Sequence, residues 1–213
     1  MTGPVAVTGA DRPMGAALCR GLSADGEVIA IGESPGPGSD LVGVMDYRSS
    51  DLRLPEGARE ALQGAAAVVH AQPHGPSAGE GFAPEAEWLD VLSRGTYVLA
   101  QAAREAEIGR IVLVSPISLM QDYPADFVVE PWWRPRPRPD GESLAPYLAE
   151  LVCREIARTG AIEVCCLRMG DLDDSSAGTS SGDAVAAVSA ALQSEAGAGG
   201  YSWRVDHALT GGS

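Results

Sequence analysis

The sequence predicts an α/β domain built on a doubly wound parallel sheet. Three observations carry that expectation. Short β-branched and apolar runs alternate with longer helical patterns, the rhythm of repeated βαβ units. The first such run, Val5–Thr8, passes through a glycine-containing turn, Gly9 to Gly15, into a helix. The 213 residues, 45% of them hydrophobic, suffice for one domain with a sizeable core.

The elements follow in order. Val5–Thr8 reads as a first strand, Met14–Ser23 as a helix, Val28–Ile31 as a second strand and Leu41–Met45 as a short third. Pro55 starts a helix ending near Gly64, because proline's missing N–H costs nothing at a first helical position. Ala67–His70 is a fourth strand, Pro84–Glu107 a long helix and Arg110–Ser115 a fifth strand, with Gly109 at the join. Residues 116–143 hold Pro116, Pro124, Pro131, Pro135, Pro137 and Pro139, too many for a helix or central strand. They read as a long inserted loop, a substrate-side loop or lid. Leu144–Arg158 is helical, Glu163–Arg168 a sixth strand, Asp183–Glu195 a helix and Tyr201–Val205 a last short strand. No internal repeat and no second domain is evident, so residues 1–213 are expected to form one domain.

Composition narrows the chemistry. All 15 basic residues are Arg, which excludes a Schiff base, a P-loop lysine, and an ammonium that lowers a neighbouring phenol's pKa. The formal net charge of −14 argues against nucleic acid as a partner, since phosphates repel an acidic surface. No apolar run is long enough for a membrane span, and Met1–Val7 lacks a basic region followed by an apolar core, so a soluble cytoplasmic protein is expected. Cys19, Cys153, Cys165 and Cys166 lie in apolar patterns without metal-ligand spacing and read as reduced core thiols. No metal site is expected. His70 and His74 flank Gln72-Pro73, where Pro73 prevents one helical face from presenting both imidazoles, and no carboxylate triad lies nearby.

The turn Thr8-Gly-Ala-Asp-Arg-Pro-Met-Gly15 joins a buried strand to a helix, which aims backbone N–H groups and the positive end of the helix dipole at an anion. Gly9 would permit the tight turn and Gly15 the close approach of helix and strand. Two glycines alone serve purely structural needs about as often as they serve a ligand.

Later segments, in order, give the turn its meaning. Thr8-Gly9-Ala10 resembles the T-G-A start of the short-chain dehydrogenase/reductases, especially their extended, NAD-dependent epimerase/dehydratase branch, a Rossmann-like fold. Val68-Val69-His70-Ala71 is similar to that family's fourth strand, which passes beside the cofactor, and Val112–Ser115 to the fifth, whose end carries the catalytic Ser or Thr. Asp46 resembles the acidic residue that meets adenine. Pro146-Tyr147, with Glu155 eight residues on, resembles the Y-x-x-x-K helix and its later Glu. Cys166-Leu167-Arg168 with Met169-Gly170 is similar to the family's L-R-P-G strand, and Asp183-Ala184-Val185 to its D-V-A helix start. The resemblance spans roughly residues 3–205 and implies that Thr8, Gly9, Asp11, Arg12, Met14, Gly15, Glu33, Asp46, His70 and Ala71 bind the cofactor.

The departures matter as much. The middle glycine of the turn falls on Arg12 in the extended pattern and on Pro13 in the other, which puts a side chain where backbone normally approaches pyrophosphate. Arg12 could meet a 2′-phosphate, whereas Glu33 suits a ribose diol. The reading leans to NADP(H) over NAD(H). Leu151 stands at the Lys position, so Tyr147 lacks the family's neighbour, and the usual Ser spacing lands on Pro116, with Ser115 and Ser118 as substitutes. Tyr147, Ser115 and Ser118 are the catalytic candidates. The competing interpretation of Tyr147 is a phenol that orients substrate or packs a wall.

Two adjacent indoles, Trp132 and Trp133, are costly to leave in water and should cover the core or a planar ligand. Arg134, on a stiff Pro-Arg alternation, could grip a carboxylate or phosphate, and His74 follows the fourth strand near the expected nicotinamide. His74, Trp132, Trp133 and Arg134 are the substrate-binding candidates, while a solvated polyproline stretch that docks a partner competes with the lid. Only about 45 residues follow Arg168, so the sugar-nucleotide lobe of extended relatives is expected to be trimmed. The sequence points to NAD(P)H-dependent reduction of a ketone or quinone-like carbonyl on a small aromatic or polyketide-type molecule. A non-redox cyclase, isomerase or dehydratase is the first alternative and a catalytically dead dinucleotide sensor or partner subunit the second. A small-molecule substrate is the expected partner, with neither nucleic acid nor membrane, and a homodimer is allowed for.

Overall fold

The computed structural model describes residues 3–41, 46–74, 85–173, 178–194 and 201–210. Seven parallel strands form one sheet in the order β3-β2-β1-β4-β5-β6-β7. They are β1 (Val5–Thr8), β2 (Val28–Gly32), β3 (Asp46–Ser49), β4 (Ala67–His70), β5 (Arg110–Pro116), β6 (Glu163–Met169) and β7 (Trp203–Ala208). The helices are α1 (Pro13–Leu22), α2 (Pro55–Ala61), α3 (Glu85–Leu89), α4 (Gly95–Glu105), α5 (Gly141–Ala157) and α6 (Ser181–Gln193).

The inner strands are buried on both faces, which is why Val5–Thr8 and Ala67–His70 lack alternation. One layer of core joins Val7, Val69, Val112 and Leu167 to Met14 and Leu18 of α1 and Val188 of α6. The other joins Ala6, Val68, Ile111 and Val164 to Ala58 of α2, Leu99 of α4 and Cys153 of α5. The four cysteines are buried free thiols, and burial pushes Cys19 and Cys153 up to about 12. The chain runs outward from β1 to β3 and returns to β4, so the strand order reverses between β1 and β4. A cleft opens at the carboxyl ends of the strands around such a switch point.

Three elements depart from expectation. The third strand is Asp46–Ser49, the polar segment after the anticipated apolar one; Val42–Met45 lie outside the described residues. Being an edge strand, β3 needs no continuous apolar run. The long helix, whose expected start at Pro84 also lies outside the described residues, is divided into α3 and α4 by a π-helical turn, Asp90–Arg94. Strand β5 continues through Pro116, which lies beyond the last β4 pairing and keeps a neighbour only in β6. An N–H is dispensable on that open side. The inserted loop is therefore shorter than expected, because a 3₁₀ turn, Ile117–Met120, follows β5 and α5 begins at Gly141. The Asp140 carboxylate caps α5 by accepting from Ser143 N at 2.9 Å. Among the described residues no helix is long and apolar enough to cross a membrane, and no group of three or more His, Cys, Asp or Glu could hold a metal ion.

Candidate cofactor cleft and substrate cavity

The turn after β1 is shaped by two glycines. Gly9 has φ +68°, and a Cβ there would lie 3.0 Å from the Gln72 backbone; a Cβ on Gly15 would collide with the Gly9 carbonyl oxygen. Their absence lets α1 start against β1 and β4. Asp11 accepts from Glu33 N at 2.9 Å, Ser34 N at 3.0 Å and Ser34 Oγ at 3.1 Å, which fixes the exit from β2. Glu33 is held between two groups: Arg12 Nη2 at 3.4 Å from one carboxylate oxygen, and Gln72 Nε2 donating at 3.0 Å to the other. The Arg12 guanidinium also lies 5.9 Å from the Trp88 ring centroid.

Gly9, Asp11, Gly32, Glu33, Ser50, Leu52 and Gln72 line a narrow cleft at the ends of β1, β2, β3 and β4, too tight in this structure to admit a water molecule. Ser50 Oγ and Gln72 Oε1 are buried there without a hydrogen-bond partner. Asp46 is not among them. It opens β3 opposite Ile29, at the far end of the strand, and pairs with Arg48 at 2.7 Å. Ser50 and Leu52, four and six positions later, line the cleft instead.

Thr8 and His70 are wholly internal. Thr96 Oγ1 donates to Leu92 O, so it accepts from His70 Nε2–H at 2.8 Å, and His70 Nδ1 accepts from the Thr8 hydroxyl at 2.8 Å. That assigns a neutral tautomer with no nitrogen left for a ligand. Burial pushes the His70 pKa down to about 3. Met14 and Ala71 are core residues at 3% and 2% exposure and shape the cleft through packing.

The expected catalytic group is not assembled. Ser115, fully buried, donates to Glu150 Oε1 at 2.7 Å, and Arg168 meets both Glu150 oxygens at 2.9 Å. Tyr147 instead lines a groove of about 380 Å³ with Leu151, Arg154, Trp203 and Val205, and its hydroxyl accepts from Arg134 Nε at 3.4 Å. Glu155 is exposed and pairs with Arg158 at 2.7 Å. The one glutamate that α5 buries is Glu150. Registering the Y-x-x-x-K pattern and its later Glu on Glu150 moves the Tyr position to Glu142 and the Lys position to Pro146, which lies inside α5 and has no N–H. Neither register supplies a Tyr–Lys pair.

The loop between β5 and α5 is fastened rather than free. Arg168 Nη1 donates to Pro131 O at 3.1 Å, Arg136 N to Leu119 O at 3.0 Å, and Tyr123 OH to Arg134 O at 2.7 Å. The two indoles part company. Trp133 packs edge-on against Tyr123 and Phe127 at 4.9 and 5.9 Å, whereas Trp132 is 77% exposed. His74 Nε2 donates to Gly170 O at 3.0 Å and Met169 O at 3.3 Å, tying the end of β4 to the end of β6.

A cavity of about 420 Å³ lies beyond the ends of β5, β6 and β7. Pro116, Ile117, Met120, Val129, Met169 and Leu209 form its apolar walls, with exposed Ser118, Gln121 and Asp171 among its polar lining. His207 also lines it, and its Nε2 is buried without a partner. Of the catalytic candidates only Ser118 reaches this cavity. The sequence reading missed His207, Ser50, Gln72 and the Glu150–Arg168 pair.

The parallel sheet, its strand order and the glycine turn together define a Rossmann-type fold. Solved structures of the same fold include a mutated uronate dehydrogenase, at 19% identity and TM-score 0.79 over 98% of this chain and 74% of that one. MoeE5 in complex with UDP-glucuronic acid and NAD matches at 23% identity and TM-score 0.77, over 99% and 77% of the two chains. A short-chain dehydrogenase/reductase superfamily protein from Agrobacterium tumefaciens with bound NAD matches at 24% and 0.66, over 80% and 50%. No protein-family model and no curated protein matches the chain. The fold is thus one this chain shares with NAD-binding short-chain dehydrogenase/reductase structures, as the sequence resemblance implied.

Proposed function

We propose that this chain is an NAD(H)-dependent oxidoreductase acting on a ketone or quinone-like carbonyl of a small, flat, largely apolar molecule. The observation that carries the reading is the pair of buried, unpartnered atoms, Ser50 Oγ and Gln72 Oε1, in a cleft that also presents Glu33. Each unmet polar atom costs about 1–3 kcal/mol, and the ring and ribose of an adenine nucleotide carry the donors and acceptors that would meet them. These groups match an adenosine in kind, and the crevice would have to widen to seat it.

Glu33 suits a ribose diol and repels a 2′-phosphate, while the charge of Arg12 is already met by Glu33. The reading is NAD(H) rather than NADP(H), and two of the similar structures carry NAD. Glu33, Ser50 and Gln72 would hold the adenosine half and the Gly9–Gly15 turn the diphosphate. A bound nicotinamide supplies or accepts a hydride. The chain's own residues position that chemistry: His74 braces the end of β6 beside the cavity, and the cavity's apolar walls exclude water from the carbonyl.

A non-redox role on the same scaffold is the second reading, favoured by the absence of a Tyr–Lys pair in either register of α5. Purified protein supplied with NADH and a panel of aromatic ketones and naphthoquinones distinguishes the two through the loss of nicotinamide absorbance. Turnover with NADH, and slower turnover with NADPH, is the expected result. Saturable NADH binding without oxidation by any carbonyl would overturn the oxidoreductase in favour of the non-redox role.

A further inference from the structure

We infer that the groove between α5, β7 and the loop before α5 binds a planar aromatic carboxylate, with Arg134 and Arg136 meeting the carboxylate and the ring lying along Trp132, Leu151 and Trp203. The inference does not depend on the oxidoreductase reading. Neither the cofactor cleft nor the cavity beyond β5, β6 and β7 shares a lining residue with this groove, so the acid is a second ligand.

Charge selects the head group. The chain carries 29 acidic residues against 15 basic ones, enough to match every cation. Around the groove, Arg138 does pair with Asp140 at 3.3 Å, Arg154 with Glu155 at 3.4 Å and buried Arg168 with Glu150 at 2.9 Å. Arg134 and Arg136 meet no carboxylate among the described residues and lie against phenols instead: Arg134 Nε donates to Tyr147 OH at 3.4 Å, and the Arg136 guanidinium stands 3.9 Å from the Tyr123 ring centroid. One phenol oxygen leaves most of a guanidinium's N–H donors unused, and a carboxylate is the planar acceptor that such a fork matches. A monoanion is favoured over a dianion because the net charge of −14 opposes each added negative charge.

The loop presents the two cations in advance. Pro135 and Pro137 fix φ, and the alternation leaves Arg134 and Arg136 exposed while the two prolines are half-buried. Arg136 N donates to Leu119 O at 3.0 Å, and Arg134 O accepts from Tyr123 OH at 2.7 Å, so the backbone of each arginine is tied down. Little ordering is left to be done when an anion arrives. Size and polarity select the body. The groove holds about 380 Å³, and the hollow that adjoins it at Arg134 and Tyr147 about 440 Å³. Both values fall in the lower part of the roughly 300–1,000 Å³ of small-molecule sites, which suits a fused two-ring acid. Trp132 lines the groove at 77% exposure, together with half-buried Leu151, Trp203 and Val205. A flat ring laid there covers an indole that water otherwise meets.

The test is calorimetric titration of the purified protein with 2-naphthoate and with its uncharged counterpart, 2-naphthamide. The expected result is saturable one-to-one binding of 2-naphthoate, tighter than that of the amide by about tenfold or more. Arg134→Gln with Arg136→Gln should weaken 2-naphthoate by about tenfold or more and leave the amide unaltered. Arg94→Gln with Arg104→Gln, the same change of net charge outside the groove, should leave both unaltered. Trp132→Ala should weaken acid and amide alike. All these side chains are exposed, so the melting temperature should stay native. No saturable binding, equal affinity for acid and amide, or undiminished affinity in Arg134→Gln with Arg136→Gln would overturn the site. Acetate bound as tightly as 2-naphthoate would also overturn it, because the ring would then contribute nothing. Saturating NADH should not displace 2-naphthoate; displacement would place the acid in the cofactor cleft and overturn the inference.

Discussion

Glu150 and Arg168 form a two-point ion pair between α5 and β6, with both contacts at 2.9 Å and the side chains 4% and 3% exposed. Ser115 adds a hydrogen bond to the same carboxylate from the end of β5. Helix α5 and strands β5 and β6 are thereby locked together, and Arg168 extends the lock to the loop through Pro131 O.

Breaking one side of this pair leaves a buried charge without its partner. Glu150→Leu should lower stability by about 3–5 kcal/mol, and the double variant Glu150→Leu with Arg168→Met should regain most of it. Urea unfolding measures both. A single-variant loss below about 1 kcal/mol would mean that the pair is hydrated.

Cofactor choice is expected to turn on Glu33. Glu33→Ser removes the charge that repels a 2′-phosphate and frees Arg12, now 3.4 Å from Glu33, to meet it. The NADH-over-NADPH affinity ratio should fall by about tenfold, one charge-assisted contact's worth. Equal losses for both cofactors would place Glu33 in packing alone.

Tyr147 is expected to be dispensable for hydride transfer, since its hydroxyl meets only Arg134 Nε, at 3.4 Å, in a groove away from the cavity. Tyr147→Phe should change turnover by less than about threefold and leave NADH affinity unaltered. A fall of about 10²-fold, the scale of positioned acid catalysis, would restore it as the proton donor.

His70 makes stability depend on pH in a defined direction. Its folded pKa, pushed down to about 3, lies below the ordinary 6.5, so between those values the unfolded chain binds the extra proton. The contribution is complete above pH 6.5 and declines as pH falls toward 3, by up to about 1.4 kcal/mol per pH unit. His74, also lowered by burial, acts in the same sense. Asp51, held low by Arg53, gives way only in more acid solution. The urea midpoint should therefore fall more steeply between pH 6.5 and 5 in the unmodified protein than in His70→Gln. Equal slopes would mean that the imidazole already titrates normally.

Much of the fold was legible in the sequence because buried parallel strands write their burial directly as Val, Ile and Leu runs. Edge strands do not, which is how Asp46–Ser49 was displaced by the apolar segment before it. The site was less legible, for a different reason. Glu150 and Glu155 lie on one helix and read alike in the sequence, but only Glu150 is buried, and its partner Arg168 stands on another element. A one-dimensional pattern matched Tyr147 and Glu155, whereas three-dimensional burial selects Glu150. His207 did leave a signal: Trp203, Val205 and His207 alternate on one face of β7, so a polar side chain falls at an inward position.

The central claim is the proposal that the cleft at the ends of β1, β2, β3 and β4 opens to hold NAD(H). Titration of the purified protein with NADH and then with NADPH, followed by nicotinamide fluorescence, tests it most directly. The account predicts saturable one-to-one binding of NADH, NADPH weaker by about tenfold, and reduced NADH affinity in Gln72→Leu, which removes one of the two unmet cleft atoms. No saturable NADH binding, or tighter binding of NADPH than of NADH, would contradict it.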